Sequence, residues 1–498
     1  MKPLLTPEQM YALEKQHFDH GLPTLTAMEN AASAFLRELI LFAGPLAGKT
    51  VCVACGSGNN AGDGYAIARL AAQEGACVSI VALTPIEKLR GDALINARRS
   101  VVEMRIPCLA NSLPAVRPDI WVDALFGIGL NRPIPDSIQP VISLMENHRA
   151  QGSIVCSVDV PSGLNAETGR IEGMAVSADL TVTFQYAKTS HYLLDGPDAT
   201  GRLIIADIGM NRFPPEECMR LVEPGDPSVS FRKRRHNTHK GTWGHLIVIA
   251  GSFGMAGAAA YTAHAALRSG AGLVTIACPR SIVPVLQTIL PAAMCIPLPE
   301  ADGAIGPEAV PVIREALRGK TAVAIGPGLS RKADPGVLRA VLESDLPAVI
   351  DADALNLLAA NPSLQSLLNS RHVLTPHPGE AARLCPACSS LPHRDIRLLH
   401  ALHATVLLKG AASIIAGKEF TVSASGSPGM AVGGSGDVLT GIIGALLAAG
   451  VDPEQAAWSG SEIHGRCGEL AEEKTGCISM NASDLIDMLP SAIRQITG

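Results

Sequence analysis

The chain has 498 residues, more than the roughly 250–300 that one hydrophobic core supports, which predicts about two to four domains. Apolar residues make up 47% and charged residues 17% of the chain, a composition that excludes disordered and fibrous proteins. A net charge of −6 lacks the basic footprint of a duplex-DNA binder, and 3% aromatic residues argue against stacking platforms for single-stranded nucleic acid.

The sequence gives no sign of export or of membrane insertion. The first residues, MKPLLTPEQM, lack the apolar core of a signal peptide, and no run reaches the roughly 18 apolar residues of a membrane helix. The 12 cysteines are too dilute for a disulfide scaffold and are typical of buried thiols in a reducing compartment. Cys385 and Cys388 have the Cys-x-x-Cys spacing of a redox or metal site, but the signal is weak because no second pair stands at zinc spacing. We therefore expect a cytoplasmic protein.

Short apolar runs alternate with Ala/Leu-rich stretches in the first half of the chain. Continuous apolar runs separated by helical patterns favour a parallel sheet that is covered on both faces. Cys52 and Cys55 lie on the first of these strands, where their odd spacing points the two side chains to opposite faces. The predicted strands are residues 50–55, 78–83, 120–124, 154–158 and 180–184.

A glycine- and asparagine-rich loop, Gly56 to Gly64 (GSGNNAGDG), follows the first strand and precedes an Ala-rich helix. Backbone N–H groups at such a helix start suit phosphate. The loop fits the relaxed pattern G-x-G-x-x-A, but the next strand ends without the acidic residue that a NAD-binding Rossmann fold uses for the ribose. A tight turn with asparagine at positive φ would explain the loop taken alone.

Two further polar loops follow strands in this half. Asp123 begins the segment DALFGIGLNRP, and Asp159 begins DVPSGLN. In doubly wound sheets the ligand crevice lies at the carboxyl ends of the strands. The three loops therefore predict one binding site.

Together these motifs resemble the NAD(P)H-hydrate epimerase domain over roughly residues 10–215. The resemblance implies a potassium ion near Asn60, Asp123 and Ser162, and it places Asp159 at the hydrated nicotinamide ring. Ala61 stands where the family usually has glycine, which requires a backbone that alanine can adopt. The substrate contacts that it implies are Asn59, Asn60, Ala61, Gly62, Asp63, Gly127, Ile128, Gly129, Leu130, Asn131, Arg132 and Pro133.

Epimerisation at C6 of the hydrated ring requires the hydroxyl to leave and to return on the other face. A carboxylate that passes a proton can assist both steps. We therefore predict that Asp159 is the catalytic residue of the first half.

A domain boundary is predicted where proline, glycine and charge concentrate, between residues 211 and 241. No periodic apolar pattern crosses this stretch, and we predict domains over residues 1–222 and 228–498. The basic run Arg232-Lys233-Arg234-Arg235 lies within the stretch, and we interpret it as a solvated linker.

The second half repeats the alternation of strands and helices. We expect two three-layer α/β domains, the first Rossmann-like with a parallel sheet and the second with a mostly parallel sheet. The predicted strands of the second half are residues 246–250, 273–277, 322–325, 348–350, 373–375 and 405–408.

The strongest single motif is Gly433-Gly434-Ser435-Gly436-Asp437, which opens a long apolar helix. Such a helix start is an anion site, and its dipole favours the carboxylate form of Asp437. An ionised aspartate beside a phosphate cradle can take a proton from a hydroxyl that attacks phosphorus. Simple helix capping by serine or aspartate is the alternative explanation.

Five other loops of the second half follow predicted strands, at residues 251–258, 326–330, 351–356, 375–380 and 409–413. The set resembles the ribokinase-like fold and more closely the ADP-dependent NAD(P)H-hydrate dehydratase domain over about residues 228–496. This resemblance implies that magnesium bridges the phosphates of ADP. It implies dinucleotide contacts from Ala258, Gly328, His377 and Asp437, and adenine-nucleotide contacts from Lys409, Gly410, Ala411, Ala412, Ser413 and Gly436. A buried structural histidine is the alternative for His377.

The two resemblances together imply a bifunctional enzyme that repairs hydrated NADH and NADPH. Asp437 would deprotonate the C6 hydroxyl, which attacks the terminal phosphate of ADP. A small-molecule kinase fused to a ligand-binding domain and a non-catalytic nucleotide sensor remain as alternatives, although intact Asp159 and Asp437 argue against the sensor. We expect small-molecule substrates, no nucleic-acid or membrane partner, and self-association into a homo-oligomer.

Overall fold

A computed structural model describes residues 1–19, 21, 23–110, 112–130, 132–171, 173–210, 214–386 and 402–498. The chain forms two compact units. The first unit is Pro3–Met219, and the second joins Met1–Lys2 to Arg220–Gly498. The domain limits at residues 222 and 228 stay predictions.

The elements up to residue 221 alternate between strands and helices for most of their length. The strands are β1 (Lys2–Leu5), β2 (Thr50–Cys55), β3 (Cys77–Ala82), β4 (Cys108–Ala110), β5 (Ile120–Ala124), β6 (Ile154–Val158), β7 (Leu180–Phe184), β8 (Ala187–Lys188), β9 (Arg202–Ala206) and β10 (Met219–Leu221). The helices are α1 (Pro7–Phe18), α2 (Thr24–Ala43), α3 (Asn59–Gln73), α4 (Gly91–Ala97), α5 (Gln139–Ala150) and α6 (Gly196–Thr200).

The rest of the chain continues the alternation and ends in three long helices. Its strands are β11 (His245–Ile249), β12 (Leu273–Pro279), β13 (Met294–Leu298), β14 (Glu300–Ala301), β15 (Ala304–Ile305), β16 (Ala322–Ile325), β17 (Ala348–Ile350), β18 (His372–Leu374), β19 (Thr405–Leu408), β20 (Ser413–Ala416) and β21 (Phe420–Ser423). Its helices are α7 (Ala256–Arg268), α8 (Val283–Ile289), α9 (Ala309–Ala316), α10 (Pro335–Leu342), α11 (Ala352–Ala360), α12 (Pro362–Gln365), α13 (Pro378–Leu384), α14 (Ser435–Ala448), α15 (Pro453–Thr475) and α16 (Ala482–Thr497).

The first unit is built on a parallel sheet with the strand order β4-β3-β2-β5-β6-β7-β9. Cys52 and Cys55 of β2 are buried in different core clusters, which confirms that they point to opposite faces. All five strands predicted in this half are present, and the second begins one residue earlier than predicted, at Cys77. Because β2, β5 and β6 are neighbours, their carboxyl ends meet at one edge.

The main sheet of the second unit runs in the order β13-β12-β11-β16-β17-β18-β19 with parallel pairing throughout. It continues into β20 and β21, which pair in antiparallel fashion. The six predicted strands are present, with shifts of one or two residues at the ends of three of them. The α/β class and the mostly parallel sheet are therefore confirmed.

Helix α14 lies in the core of the second unit, as its apolar sequence predicts. Every residue from Val438 to Ala448 is buried. A Cβ at Gly441 would lie 2.2 Å from the carbonyl oxygen of Thr262 in α7, so the close approach of the two helices requires glycine there. None of the helices in the described residues is long and apolar enough to cross a membrane.

The basic run is exposed, but it is not simply a solvated linker. The guanidinium carbon of Arg234 lies 4.6 Å from the ring centroid of Trp243, and its Nη2 donates to the carbonyl of Gly270 at 2.7 Å. Arg234 therefore attaches this segment to the second unit through a cation–π contact and a hydrogen bond.

Candidate functional site

A cavity of about 320 Å³ lies in the first unit, where the loops after β2, β5 and β6 meet. The predicted convergence of these three loops is therefore observed. The cavity also receives side chains from α1 and from β8, which carries Lys188. The predicted site residues that line it are Asn59, Asn60, Asp63, Gly127, Ile128, Gly129, Leu130 and Asp159.

Other predicted contacts lie outside this lining. Ala61 and Gly62 are buried within the first turn of α3, where the helical backbone accommodates alanine without strain. Arg132 and Pro133 are exposed, and Asn131 lies outside the described residues. Ala61, Gly62, Arg132 and Pro133 are not among the residues that line the cavity.

Asn60, Asp123 and Ser162 come together around the backbone of Phe126. Asn60 Nδ2 donates to the Phe126 carbonyl at 2.8 Å, and the Phe126 N–H donates to Ser162 Oγ at 2.9 Å. Asp123 is fully buried and accepts bonds from Ser162 Oγ at 2.6 Å and from the Ser162 N–H at 2.8 Å. Ser157 Oγ donates to the same carboxylate at 3.0 Å.

Asp159 follows β6 with a left-handed φ of 65°. Its Oδ1 accepts bonds from Lys188 Nζ at 2.5 Å and from Thr183 Oγ1 at 2.8 Å. Lys188 is 1% exposed, and β8 is held by parallel pairing with β1 in which Leu5 is the partner of Lys188. His191 Nε2 lies 2.9 Å from the Asp159 carbonyl oxygen. Strand β6 thus positions Asp159 and strand β8 positions Lys188, so both partners of the ion pair are held in place.

The carboxyl groups of this cavity differ in acidity. Burial opposes ionisation of Asp159, but the charge and hydrogen bond of Lys188 outweigh it and lower the pKa of Asp159. Burial raises the pKa of Glu14 to about 7, despite the opposing charge of Lys188. Burial, with the charges of Asp159 and Glu14, also raises the pKa of Asp63 well above its usual range. Ionised Asp159 therefore shares the cavity with carboxyl groups that hold protons near neutral pH.

In the second unit, Lys409 at the end of β19 lies beside the start of α14. Its Nζ donates to Asp351 Oδ1 at 2.8 Å, and Thr440 Oγ1 donates to Asp351 Oδ2 at 2.7 Å. A Cβ at Gly436 would lie 3.5 Å from Lys409 Nζ. The predicted nucleotide residues Lys409 and Gly436 are therefore neighbours.

Asp437 lies in the first turn of α14, but its ionisation differs from the expectation. Burial and the negative charges of Asp351 and Asp353 raise the pKa of Asp437 to about 7, although Lys409 opposes the shift. We expected the helix start to favour the carboxylate form of Asp437. That expectation was wrong, because desolvation and the neighbouring carboxylates outweigh the effect of the helix dipole. Asp437 therefore titrates near neutral pH.

Ala258, in the first turn of α7, touches Gly328, in the loop after β16. A Cβ at Gly328 would lie 2.9 Å from the Cβ of Ala258. The residues of the turn between β19 and β20 differ in exposure: Gly410 and Ala411 are exposed, Ser413 is partly buried, and Ala412 is buried.

His377 is not the buried histidine of the alternative interpretation. Its side chain is 52% exposed, and its Nδ1 accepts the N–H of Gly379 at 3.0 Å as the N-cap of α13. The neighbouring Pro376 carbonyl accepts the Lys409 N–H at 2.9 Å. The loop that carries His377 therefore borders the Lys409 turn.

Sequence reasoning missed Lys188, Glu14 and Tyr11 in the first unit and the roles of Asp351 and Thr440 in the second. Asp351 directly follows a buried strand, as Asp159 does, so its position could have identified it. Lys188 and Glu14 belong to no motif that the sequence displays. Among the described residues, no group of three or more His, Cys, Asp or Glu side chains forms a ready metal cage.

Two family models match the chain. Residues 25–190 match the YjeF-related protein N-terminus, and residues 246–491 match the NAD(P)H-hydrate dehydratase family. Each match falls within one compact unit. An ADP/ATP-dependent NAD(P)H-hydrate dehydratase from Bacillus subtilis, crystallised with ATP and Mg²⁺, aligns at 27% identity and a TM-score of 0.47, over 56% of this chain and 99% of its own.

Curated relatives match along nearly the whole chain. The bifunctional NAD(P)H-hydrate repair enzyme Nnr of Moorella thermoacetica is 35% identical, over 99% of this chain and 97% of its own length. The enzyme of the same name from Coxiella burnetii is 35% identical over 98% and 99%. The chain belongs to the family of bifunctional NAD(P)H-hydrate repair enzymes.

Proposed function

We propose that the first unit interconverts the R and S forms of hydrated NADH and NADPH, and that the second unit dehydrates the S form at the expense of ADP. The observation that carries this proposal is that similarity to bifunctional repair enzymes extends across both units. Each unit also holds one predicted catalytic aspartate beside a cationic side chain.

In the second unit, Asp437 takes the proton of the C6 hydroxyl as the hydroxyl oxygen attacks the terminal phosphate of ADP. AMP leaves, and the C6–O bond then breaks to release inorganic phosphate. The neighbouring C5 loses a proton to solvent, and the C5–C6 double bond of the ring re-forms. Lys409 and the backbone at Gly436 stabilise charge on the transferred phosphoryl group. Ala258, Gly328 and His377 position the hydrated dinucleotide, and the Lys409 to Ser413 turn holds the adenine nucleotide. The raised pKa of Asp437 suits a base that works near neutral pH.

Magnesium suits this site as a partner of the nucleotide phosphates. Mg²⁺ usually binds through one or two carboxylates together with substrate phosphates and waters. The charges of Asp351 and Asp353 act on Asp437 at the start of α14, so carboxylate oxygens are available there. Among the described residues they do not form a complete protein cage for a metal ion. The ion would neutralise charge on the phosphates of ADP.

In the first unit, Asp159 moves a proton at the C6 hydroxyl of the bound hydrate. Lys188 holds its carboxylate in place through the 2.5 Å contact, and Thr183 fixes the same oxygen. The rest of the dinucleotide contacts the cavity lining, which includes Asn59, Asn60, Asp63 and the segment Gly127–Leu130.

Potassium fits the cluster of Asn60, Asp123 and Ser162. Asp123 is a fully buried carboxylate that forms no ion pair with any described lysine or arginine, and a monovalent cation would balance its charge. The amide, carboxylate, hydroxyl and Phe126 carbonyl oxygens are ligands that hard cations prefer. The ion would fix the two loops that carry the substrate contacts. Self-association and a cytoplasmic location stay predictions.

The test incubates the full chain with a mixture of R and S hydrate, ADP and Mg²⁺, and follows the absorbance of reduced nicotinamide. Full recovery with stoichiometric AMP supports both activities, and a faster epimerase step in KCl than in choline chloride of equal ionic strength supports the potassium site. Recovery of the S fraction alone refutes the epimerase. Phosphorylation of a sugar or vitamin without recovery favours a kinase instead.

A further inference from the structure

Helix α1 forms a wall of the epimerase cavity that none of the predicted motifs includes. Tyr11 and Glu14 both line the cavity, and their spacing of three residues places them on one face of the helix. The Tyr11 hydroxyl lies 3.1 Å from the position that a Cβ on Gly129 would occupy. The face of α1 that carries Tyr11 and Glu14 therefore packs against the loop Gly127–Leu130, which lines the same cavity.

Glu14 has the features of a reactive group rather than a structural one. It is half-buried, and it forms no hydrogen bond or ion pair with another described residue. A carboxyl group that lines a cavity without a partner among the described residues is available to contact a ligand there. Burial raises the pKa of Glu14, whereas the charge of Lys188 lowers the pKa of Asp159.

The chemistry of epimerisation calls for two proton-transfer groups. The hydroxyl leaves C6 as water from one face and needs a proton there, and the water that adds to the opposite face must lose one. Asp159, ionised by its pair with Lys188, carries no proton to donate near neutral pH, so in this form it can act only as the base. Two carboxyl groups whose environments separate their acidities commonly divide the acid and base roles.

Resting on the proposed epimerase function, we propose that Glu14 is the second proton-transfer residue of this site. Protonated Glu14 donates to the departing C6 hydroxyl, the C–O bond breaks with formation of water, and the ring nitrogen stabilises the cationic ring. Water then adds to the opposite face and passes its proton to Asp159. After one conversion Glu14 is ionised and Asp159 is protonated, and the reverse conversion uses the two groups in the opposite roles. Proton exchange with solvent returns both groups to their starting forms.

Several charged and titratable groups face Glu14. Lys188 on β8 favours its ionised form, whereas Asp159 after β6 opposes it. Tyr11 on its own helix and Asp63 on α3 interact with it electrostatically, and Asp92 on α4 lines the same cavity. Because the acid form of Glu14 is needed, catalysed epimerisation should decline as the pH rises through about 7.

The experiment measures R-to-S conversion chromatographically from pH 5 to 9 without ADP, so that the dehydratase is silent. Wild-type activity above the spontaneous rate tests the epimerase function itself. Glu14→Gln should lower kcat/KM by about 10²-fold at pH 6 and remove the decline above pH 7, because general acids contribute roughly 10²–10⁴-fold. Glu14→Asp should keep the decline.

Glu8→Gln is the matched control, because Glu8 is exposed on the same helix and does not line the cavity. Its rate and pH profile should equal those of the wild type. Dehydration of S hydrate shows that the second unit of each variant is folded. An unchanged rate in Glu14→Gln overturns the proposal, and so does a lower rate that keeps the wild-type decline, since that pattern is a positioning effect.

Discussion

The two predicted catalytic aspartates have opposite electrostatic surroundings. Asp159 forms a direct ion pair with Lys188, so its pKa is lowered against the effect of burial. Asp437 shares Lys409 with Asp351, whose oxygen receives the ammonium at 2.8 Å, and its pKa rises to about 7. Burial and neighbouring carboxylates therefore raise the pKa of Asp437, whereas the direct ion pair with Lys188 outweighs burial at Asp159.

The raised pKa of Asp437 predicts the pH dependence of dehydration. A general base works in its ionised form, so kcat/KM for S hydrate should rise with pH through about 7 and then level off. Asp353→Asn should shift this rise to lower pH, because it removes one of the negative charges that raise the pKa of Asp437. A rate independent of pH from 6 to 8, or a rise that Asp353→Asn leaves in place, contradicts this assignment.

Removal of Lys188 should destabilise the first unit. Lys188→Met leaves the Asp159 carboxylate buried and unpaired, which costs about 3–5 kcal/mol of unfolding free energy at neutral pH. In the wild type the lowered pKa of Asp159 contributes stability above the unfolded-state pKa, and that contribution is lost as the pH falls through the folded value. In the variant the sign reverses, so acidification from pH 7 to 5 should recover stability.

Denaturant unfolding of the first unit, followed through the buried Trp121, measures this difference. Lys88→Met is the control, because Lys88 is exposed, and it should change stability by less than about 0.5 kcal/mol. Equal stability of the two variants at pH 7 would mean that the Lys188–Asp159 pair carries no net energy.

At the scale of elements, the packing of α14 on α7 depends on glycine. Gly441→Ala places a Cβ 2.2 Å from the Thr262 carbonyl oxygen, so the helices must separate, at a cost of about 1–3 kcal/mol. Gly257→Ala, on the exposed side of α7, meets nothing within 4 Å. It should stabilise the second unit by up to about 1 kcal/mol, since alanine favours helix. Thermal unfolding measures both, and a neutral Gly441→Ala would refute the tight crossing.

The strands and the converging loops could be predicted from sequence because parallel strands leave a strong local pattern. Apolar runs locate β2, β5 and β6, and the edge at which they end follows from the topology rule for parallel sheets. Lys188 and Glu14 could not be predicted in the same way. Lys188 is placed by a two-residue strand paired with β1, and Glu14 by the packing of α1 on a loop more than 100 residues away.

The pairing of Asp351 with Lys409 was missed for a related reason. Both residues end buried parallel strands, so their loops could be assigned to the site, but the direct contact depends on the positions of β17 and β19 in the sheet. Burial, together with the charges of Asp351 and Asp353, raises the pKa of Asp437 against the expectation from its helix start. Local patterns therefore predicted which loops form the site, whereas the charges within it depended on the tertiary arrangement.

At the scale of the whole molecule, each unit has its own hydrophobic core and its own proposed catalytic group. We therefore expect the S hydrate formed by one unit to reach the other through solution. Two variants of the full chain test this: Asp159→Asn, which should lose epimerisation alone, and Asp437→Asn, which should lose dehydration alone.

Given R and S hydrate with ADP and Mg²⁺, Asp159→Asn should convert the S fraction rapidly and the R fraction only at the spontaneous rate. Asp437→Asn should exchange R and S without restoring absorbance. An equimolar mixture of the two variants should convert the whole substrate, because each supplies the activity that the other lacks. Conversion that stays incomplete in the mixture, while each variant keeps its remaining activity alone, would mean that the intermediate passes only within one chain.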